Sequence, residues 1–291
     1  SNCTNYGEVS STFFEVGGVA GITYDCTLTN CVNEGYVHPA SGHTYGGRTI
    51  GGVIGYMYEG TEMYNCVNKG PVDGVGTYLT YLNPYTNTTT SNRGVGGLVG
   101  YCYSQYARIE NCYNTGTITA TGSNAGGIIG HMSSSDPVQN SGISTISSDT
   151  RSYIYGVYNT GTISAPNYAG GIIGSIDYSS NSNGTLYTYA TVASLYNIGT
   201  VTTSSGTICD PIVSYTYSTY STYVSITGAY YLSDSASNTS YTSLSTSRSQ
   251  AEMTYGSLVS TLNNSHAGSS TYRWAQDYTG INSYFPIFSW Q

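Results

Sequence analysis

Residues 111–118 read NCYNTGTI, and close copies of this phrase recur along the chain: NCTNYGEV from Asn2, NCVNEGYV from Asn30, NCVNKGPV from Asn65, GVYNTGTI from Gly156 and SLYNIGTV from Ser194. Between them stands a second phrase: GGVAG from Gly17, GGVIG from Gly51, GGLVG from Gly96, and GGIIG from Gly126 and again from Gly170. The two alternate without a slip at a period of roughly 30 to 45 residues, the range of solenoids and arrays. A unit that short cannot bury its own apolar face, so it must bury it on its neighbours. Thr, Tyr, Val and Ile favour strands. The expectation is an all-β fold, a parallel β-helix of about six to seven coils with a C-terminal capping segment.

Strand alternation puts Cys112 and Tyr113 on opposite faces. Asn114-Thr115-Gly116 then reads as a turn, with the glycine expected to supply a positive φ. Cys31, Cys66 and Cys112 share one repeat position with Cys3, Val157 and Leu195. A position that accepts Val and Leu is a small buried apolar one, so these cysteines are read as an inward column of free thiols. Asn5, Asn33, Asn68, Asn114, Asn159 and Asn197 also share a position, and stacked amides can bond as a ladder. Tyr113, Tyr158, Tyr196 and Tyr230 follow the buried column by one residue and are expected to face outward. Such a stripe either stacks to stabilise the sheet or offers a flat amphipathic surface to a sugar or a protein. If the chain binds a ligand, these rings are the expected site.

The coils are expected over 1–205, a degenerate last coil over 206–235 and a cap over 236–291. CDPIV from Cys209 stands where a GGIIG should be, and TGAYYL from Thr227 where an NCYNTG should be. Met253, Leu258, Val259 and Leu262 have helical spacing. Trp274, Phe285, Ile287, Phe288 and Trp290 look like the aromatic cluster of a cap, which a solenoid's last coil needs. Insertions at 73–92, 133–151 and 175–187 are rich in Ser, Thr, Asn and Tyr, and some are expected to form outer hairpins.

Composition narrows the function. Charged residues are 8% of the chain, far below the usual quarter. Disorder is excluded by 33 tyrosines. A net charge of −8 with seven Lys and Arg argues against nucleic acid. No apolar run is long enough for a membrane span. The Ser- and Thr-rich, Lys-poor composition points to a secreted or surface protein. Residue 1 falls inside a repeat, so the chain reads as a piece of a longer polypeptide whose further coils would be its neighbours. Among the seven cysteines, Cys26, Cys102 and Cys209 sit at other offsets, and pairing among them is left open.

The alternation of GG-hydrophobic-hydrophobic-G with N-C-x-N-x-G-x-V resembles the GLUG repeat of bacterial surface proteins, including adhesins and IgA-protease-type metallopeptidases. The ending from Ala251 (AEMTYGSLVSTLN) through WAQDYTGINSYFPIFSW is similar to the segment that often follows such repeats. The resemblance implies a parallel β-helix in an extracellular or cell-surface setting, with a glycan or protein of a host or neighbouring cell as partner. It does not carry peptidase activity over to this segment. Such enzymes need HExxH, and none of His38, His43, His131 and His266 is followed by Glu.

No other constellation argues for catalysis, a metal or a cofactor. No carboxylate recurs at one repeat offset, as a glycosidase groove would require. Glu59 and Glu62 read as a solvated loop pair, and so do His38 and His43. Arg48 and Arg93 each precede a glycine pair by three residues and read as solvated cations. GGIIG does not open a helix, so its glycines are structural. A non-enzymatic stalk or adhesive segment is the expected function, with a carbohydrate-binding module, a glycan-active β-helix, or an accessory part of a surface protease as alternatives.

Overall fold

The computed structural model describes residues 1–12, 14–41, 49–74, 81–82, 89–90, 94–103, 106–122, 124–133, 152–176, 190–205, 208–216, 224–236, 244–266 and 273–291. Each coil contributes a strand to four parallel ladders. The fourth coil shows the pattern: Arg108–Asn114, Ile118–Ala120, Asn124–Gly126 and Ile129–Ser133. Arg108–Asn114 pairs in register with Ser152–Asn159, which pairs with Ala190–Asn197, which pairs with Val224–Leu232. The other three ladders hold six strands each. Six coils therefore close on four sides, and Val224–Leu232 begins a seventh. The fold is a parallel β-solenoid, and its interior holds two apolar columns, one mainly of Ile, Val, Leu, Met and Cys and one mainly of Val, Ile and Ala. Among the described residues no helix is long and apolar enough to cross a membrane.

The two repeated phrases meet inside the stack. Asn33, Asn68, Asn114, Asn159 and Asn197 point inward and are completely buried. The Nδ2 of each donates to the Oδ1 of the next, from Asn5 to Asn197, over 2.7–2.8 Å. Each of the five buried amides donates to the carbonyl of the glycine two residues on, for the first four as a second bond. On the opposite corner the second glycine of each pair packs against this ladder; a Cβ on Gly97 would lie 2.5 Å from the Asn114 amide carbon. Buried amides need partners, and the glycine pair leaves the room in which they find them.

The glycine of Asn-x-Gly is needed for a different reason than the turn reading expects. Positive φ is not found there. It occurs one residue before the thiol column, at Asn2, Asn30, Asn65, Asn111, Gly156, Ser194 and Gly228, with φ between 54° and 59°. Asn and Gly tolerate this left-handed conformation best, which accounts for the first Asn of the phrase. Gly116 is required because its neighbour approaches: an added Cβ would lie 2.0 Å from the Gly70 carbonyl oxygen.

Cys31, Cys66 and Cys112 are buried free thiols, and Cys112 stacks on Val157 and then Leu195. Cys102 and Cys209 are also buried and outside any disulfide, Cys26 is half-buried and Cys3 exposed. Burial pushes the Cys102 thiol up to about 12.

Toward the end of the chain, Cys209–Asp210 and Val213–Thr216 complete the sixth coil by pairing with Tyr168–Gly170 and Ile173–Ile176. TGAYYL lies in the strand that opens the seventh. After it, Thr246–Arg248 adds one more parallel strand. Two helices follow, α1 (Gln250–Thr254) and α2 (Ser257–Ser265). Ser249 begins α1 with a capping box to Glu252. Trp274–Ala275 and Ile287–Phe288 then form an antiparallel pair. The insertion at 73–92 carries one as well, between Tyr81–Leu82 and Thr89–Thr90. Most of the insertions at 133–151 and 175–187, together with His43, Arg48 and Arg93, lie outside the described residues.

Candidate functional site

Tyr113, Tyr158, Tyr196 and Tyr230 do leave the coil on its outer face, one per rung. The rings of Tyr113 and Tyr158 stack at 4.7 Å and 3°, and those of Tyr158 and Tyr196 at 5.0 Å and 5°. They are not an open surface. Tyr158 and Tyr196 are 1% and 0% exposed, Tyr113 and Tyr230 9% and 8%. The C-terminal segment lies along them, pressing Met253, Leu258, Leu262, Trp274, Phe285 and Phe288 onto the column. This corrects the expectation of an exposed four-ring platform. The cap does not merely close the last coil; it folds back along the side of the stack as far as the fourth. The physical reason is area: stacked phenol rings and the aromatic tail together form an apolar layer that water would otherwise wet.

Hydrogen bonds register this lateral cap on the rungs. Trp274 Nε1 donates to Ser194 Oγ over 2.6 Å, and Ser194 Oγ donates to the Leu262 carbonyl. Tyr196 donates its phenol proton to the Pro286 carbonyl and accepts from Asn282 Nδ2. Tyr158 accepts from Gln291 Nε2 over 2.8 Å. Burial holds the Tyr158 and Tyr196 phenols well above their ordinary range. Both are neutral hydrogen-bonding groups here.

At the column's N-terminal end the cap reaches Tyr113 through Phe288 and Trp290. There a cleft of about 760 Å³ opens between the coil turns and the last residues. Tyr113 and Tyr158 are on its coil side beside Thr115 and Thr160; Asn282 and Ser283 face them. Trp290 and Gln291 bound one end, and Lys69 is the one charged side chain in the lining. Asp277 makes the facing loop rigid: its carboxylate accepts from the backbone amides of Thr279, Gly280, Asn282 and Tyr284 and from the Thr279 hydroxyl. Burial alone would raise the Asp277 pKa, but these bonds outweigh it and hold it below the usual value.

Elsewhere the coils collect a charged cluster that no repeat offset announces. Arg108 reaches Glu110 on its own strand, over 2.6 Å, and Glu62 on the previous coil, over 3.7 Å. Glu110 is completely buried, and the Arg108 guanidinium also lies over the Tyr153 ring. Glu62 is thus an ion-pair partner, not half of a loop pair with Glu59. His38 bonds the exposed Glu8 and stacks on Tyr36. His131 is buried, stacked on Tyr101 and bonded to Ser175. Among the described residues no group of three or more His, Cys, Asp and Glu is placed to hold a metal ion.

The matched family fits this geometry. A family model described as the GLUG motif matches residues 91–119. The chain carries the GLUG motif in these residues. The matched GLUG segment contains the strands Gly94–Gly96, Val99–Tyr103 and Arg108–Asn114 and reaches into Ile118–Ala120, so one motif is one turn of the solenoid. Searches of the curated proteins and of the solved structures found no match.

The lateral position of the cap was not readable from spacing. One signal was available: two Trp and two Phe within the last 18 residues exceed what one end coil can cover. The cleft has no signal of its own, since its residues come from turns and tail far apart in the chain.

Proposed function

We propose that this GLUG solenoid is a non-catalytic, extracellular segment of a bacterial surface protein that serves as a stalk or adhesive element. One observation carries the reading. Every position that recurs from coil to coil is used in holding the stack: the Asn ladder, the left-handed column before it, the glycine corners and the thiol–aliphatic column. None recurs as a reactive group. A stack in which each coil depends on its neighbours is suited to projecting a surface, and further coils of the same polypeptide would extend it. The partner in this reading is a glycan or protein on a host or neighbouring cell.

Antibodies raised against the purified segment should label intact cells of the source organism. Labelling only after lysis would remove the surface assignment. Turnover of a glycan or peptide by the purified chain, abolished by one substitution, would overturn the non-catalytic one.

A further inference from the structure

We propose that the cleft beside Tyr113 binds a short neutral glycan. The stalk reading rests on the repeated columns, whereas this rests on the cap and the turns, so either can fail alone.

The cleft has the size of a small-molecule site, for which about 300–1,000 Å³ is usual; its volume is about 760 Å³. Its lining pairs aromatic surface with neutral hydrogen-bonding groups. Half-buried Trp290, 6.0 Å from the Tyr113 ring, and exposed Ile281 supply the apolar part. Thr115 and Thr160, on consecutive coils, present hydroxyls about one strand spacing, ~4.8 Å, apart; Ser283 adds a third, beside Asn282, whose Nδ2 is already bonded to Tyr196 and Pro286. A partly exposed indole with hydroxyls around it matches a sugar ring, which is apolar on its C–H face and rimmed by hydroxyls.

Charge excludes the main competitors. The one charged side chain, Lys69, is paired with Glu34 over 2.8 Å. A carboxylated, sulfated or phosphorylated ligand would find no uncommitted cation and would have to break that pair. A cationic ligand would find no acidic side chain in the lining. Preorganisation favours binding as well. The Asp277 bonds hold one wall, and the hydrogen-bonded turns hold the other, so little ordering is left to oppose association.

The test uses the full chain on a printed array of neutral and anionic glycans, followed by titration calorimetry with the neutral oligosaccharides that bind. Thr160 occupies the variable position of Asn-x-Gly, where other coils carry Glu34, Lys69, Thr115 and Ile198. A Thr160→Trp variant should therefore fold and fill the cleft. Saturable binding of neutral glycans, weakened at least tenfold in Thr160→Trp with an unchanged thermal midpoint, is expected. Tyr24→Ser probes the exposed aromatic row Tyr24–Tyr58–Tyr103 at the other end of the stack, and binding should be unchanged in it. Should Thr160→Trp not fold, Ser283→Gly, at a positive φ that glycine accepts, provides the second reading and should weaken binding severalfold. No glycan bound, anionic glycans alone bound, binding indifferent to both cleft variants, or binding lost in Tyr24→Ser would each overturn the proposal.

Discussion

Asn114 does the work of two residues, since one amide bonds its own turn and the next coil at once. Tight backbone packing sits beside it, at Gly116. A Gly116→Ala variant must push apart two backbones that leave no room for a methyl group, and a loss of about 1–3 kcal/mol is expected, measured by denaturant unfolding. Gly256, with nothing within 4 Å of an added Cβ, is the control. The thiol column separates size from polarity. Cys66→Val should cost less than about 1.5 kcal/mol, whereas Cys66→Asp buries an unpaired carboxylate among apolar neighbours and should cost more than about 3 kcal/mol. Both positions were legible in the repeat. The reason for each glycine was not, because a φ and a close contact look alike in a list of residues.

The cap is the element on which the molecule differs most from a bare repeat. Trp274 is buried against Tyr158, Tyr196 and Phe288, so Trp274→Ala should destabilise by about 3–5 kcal/mol and uncover the tyrosine column, read as increased binding of an apolar dye. Its loop has an acid limit. The Asp277 pKa is lower folded than unfolded, so the carboxylate stabilises the cap above the unfolded value of about 3.9. That contribution is lost as the pH falls through the folded value. Both tryptophans of the chain lie in the cap, so their fluorescence should report its release below about pH 4, and Asp277→Asn should flatten that acid step. The phenols set the alkaline limit with the opposite sign. Burial raises Tyr158 and Tyr196, so the stability they give is complete below the unfolded value of about 10 and is lost at higher pH.

At the scale of the whole molecule, a solenoid need not open all at once, since each coil touches only its neighbours. The cap makes the stack unequal, spanning the rungs of Tyr113, Tyr158, Tyr196 and Tyr230 and leaving the first coils without it. Ile22 and Tyr24 beside the first coil are 59% and 63% exposed. Hydrogen exchange should therefore release the amides of Ala20–Thr23 well before those of Ser152–Asn159 and Ala190–Asn197. Equal protection along the stack would show that the cap adds nothing to its cooperativity.

Coil number, the inward thiol column and the Asn ladder were written in the sequence, because each rung repeats the last and a period needs no knowledge of distant contacts. The tail was different. Its aromatic residues announced a cap, but the end of the stack and its flank both offer apolar surface, and only the folded chain shows that Trp274, Phe285 and Phe288 choose the flank. That choice covers the tyrosines that spacing alone left facing water. It also forms the cleft from Thr115, Thr160, Asn282 and Trp290, residues that no period connects. Repetition determines what lies between neighbouring coils; where a non-repeating segment comes to rest is decided by which buried surface it fits.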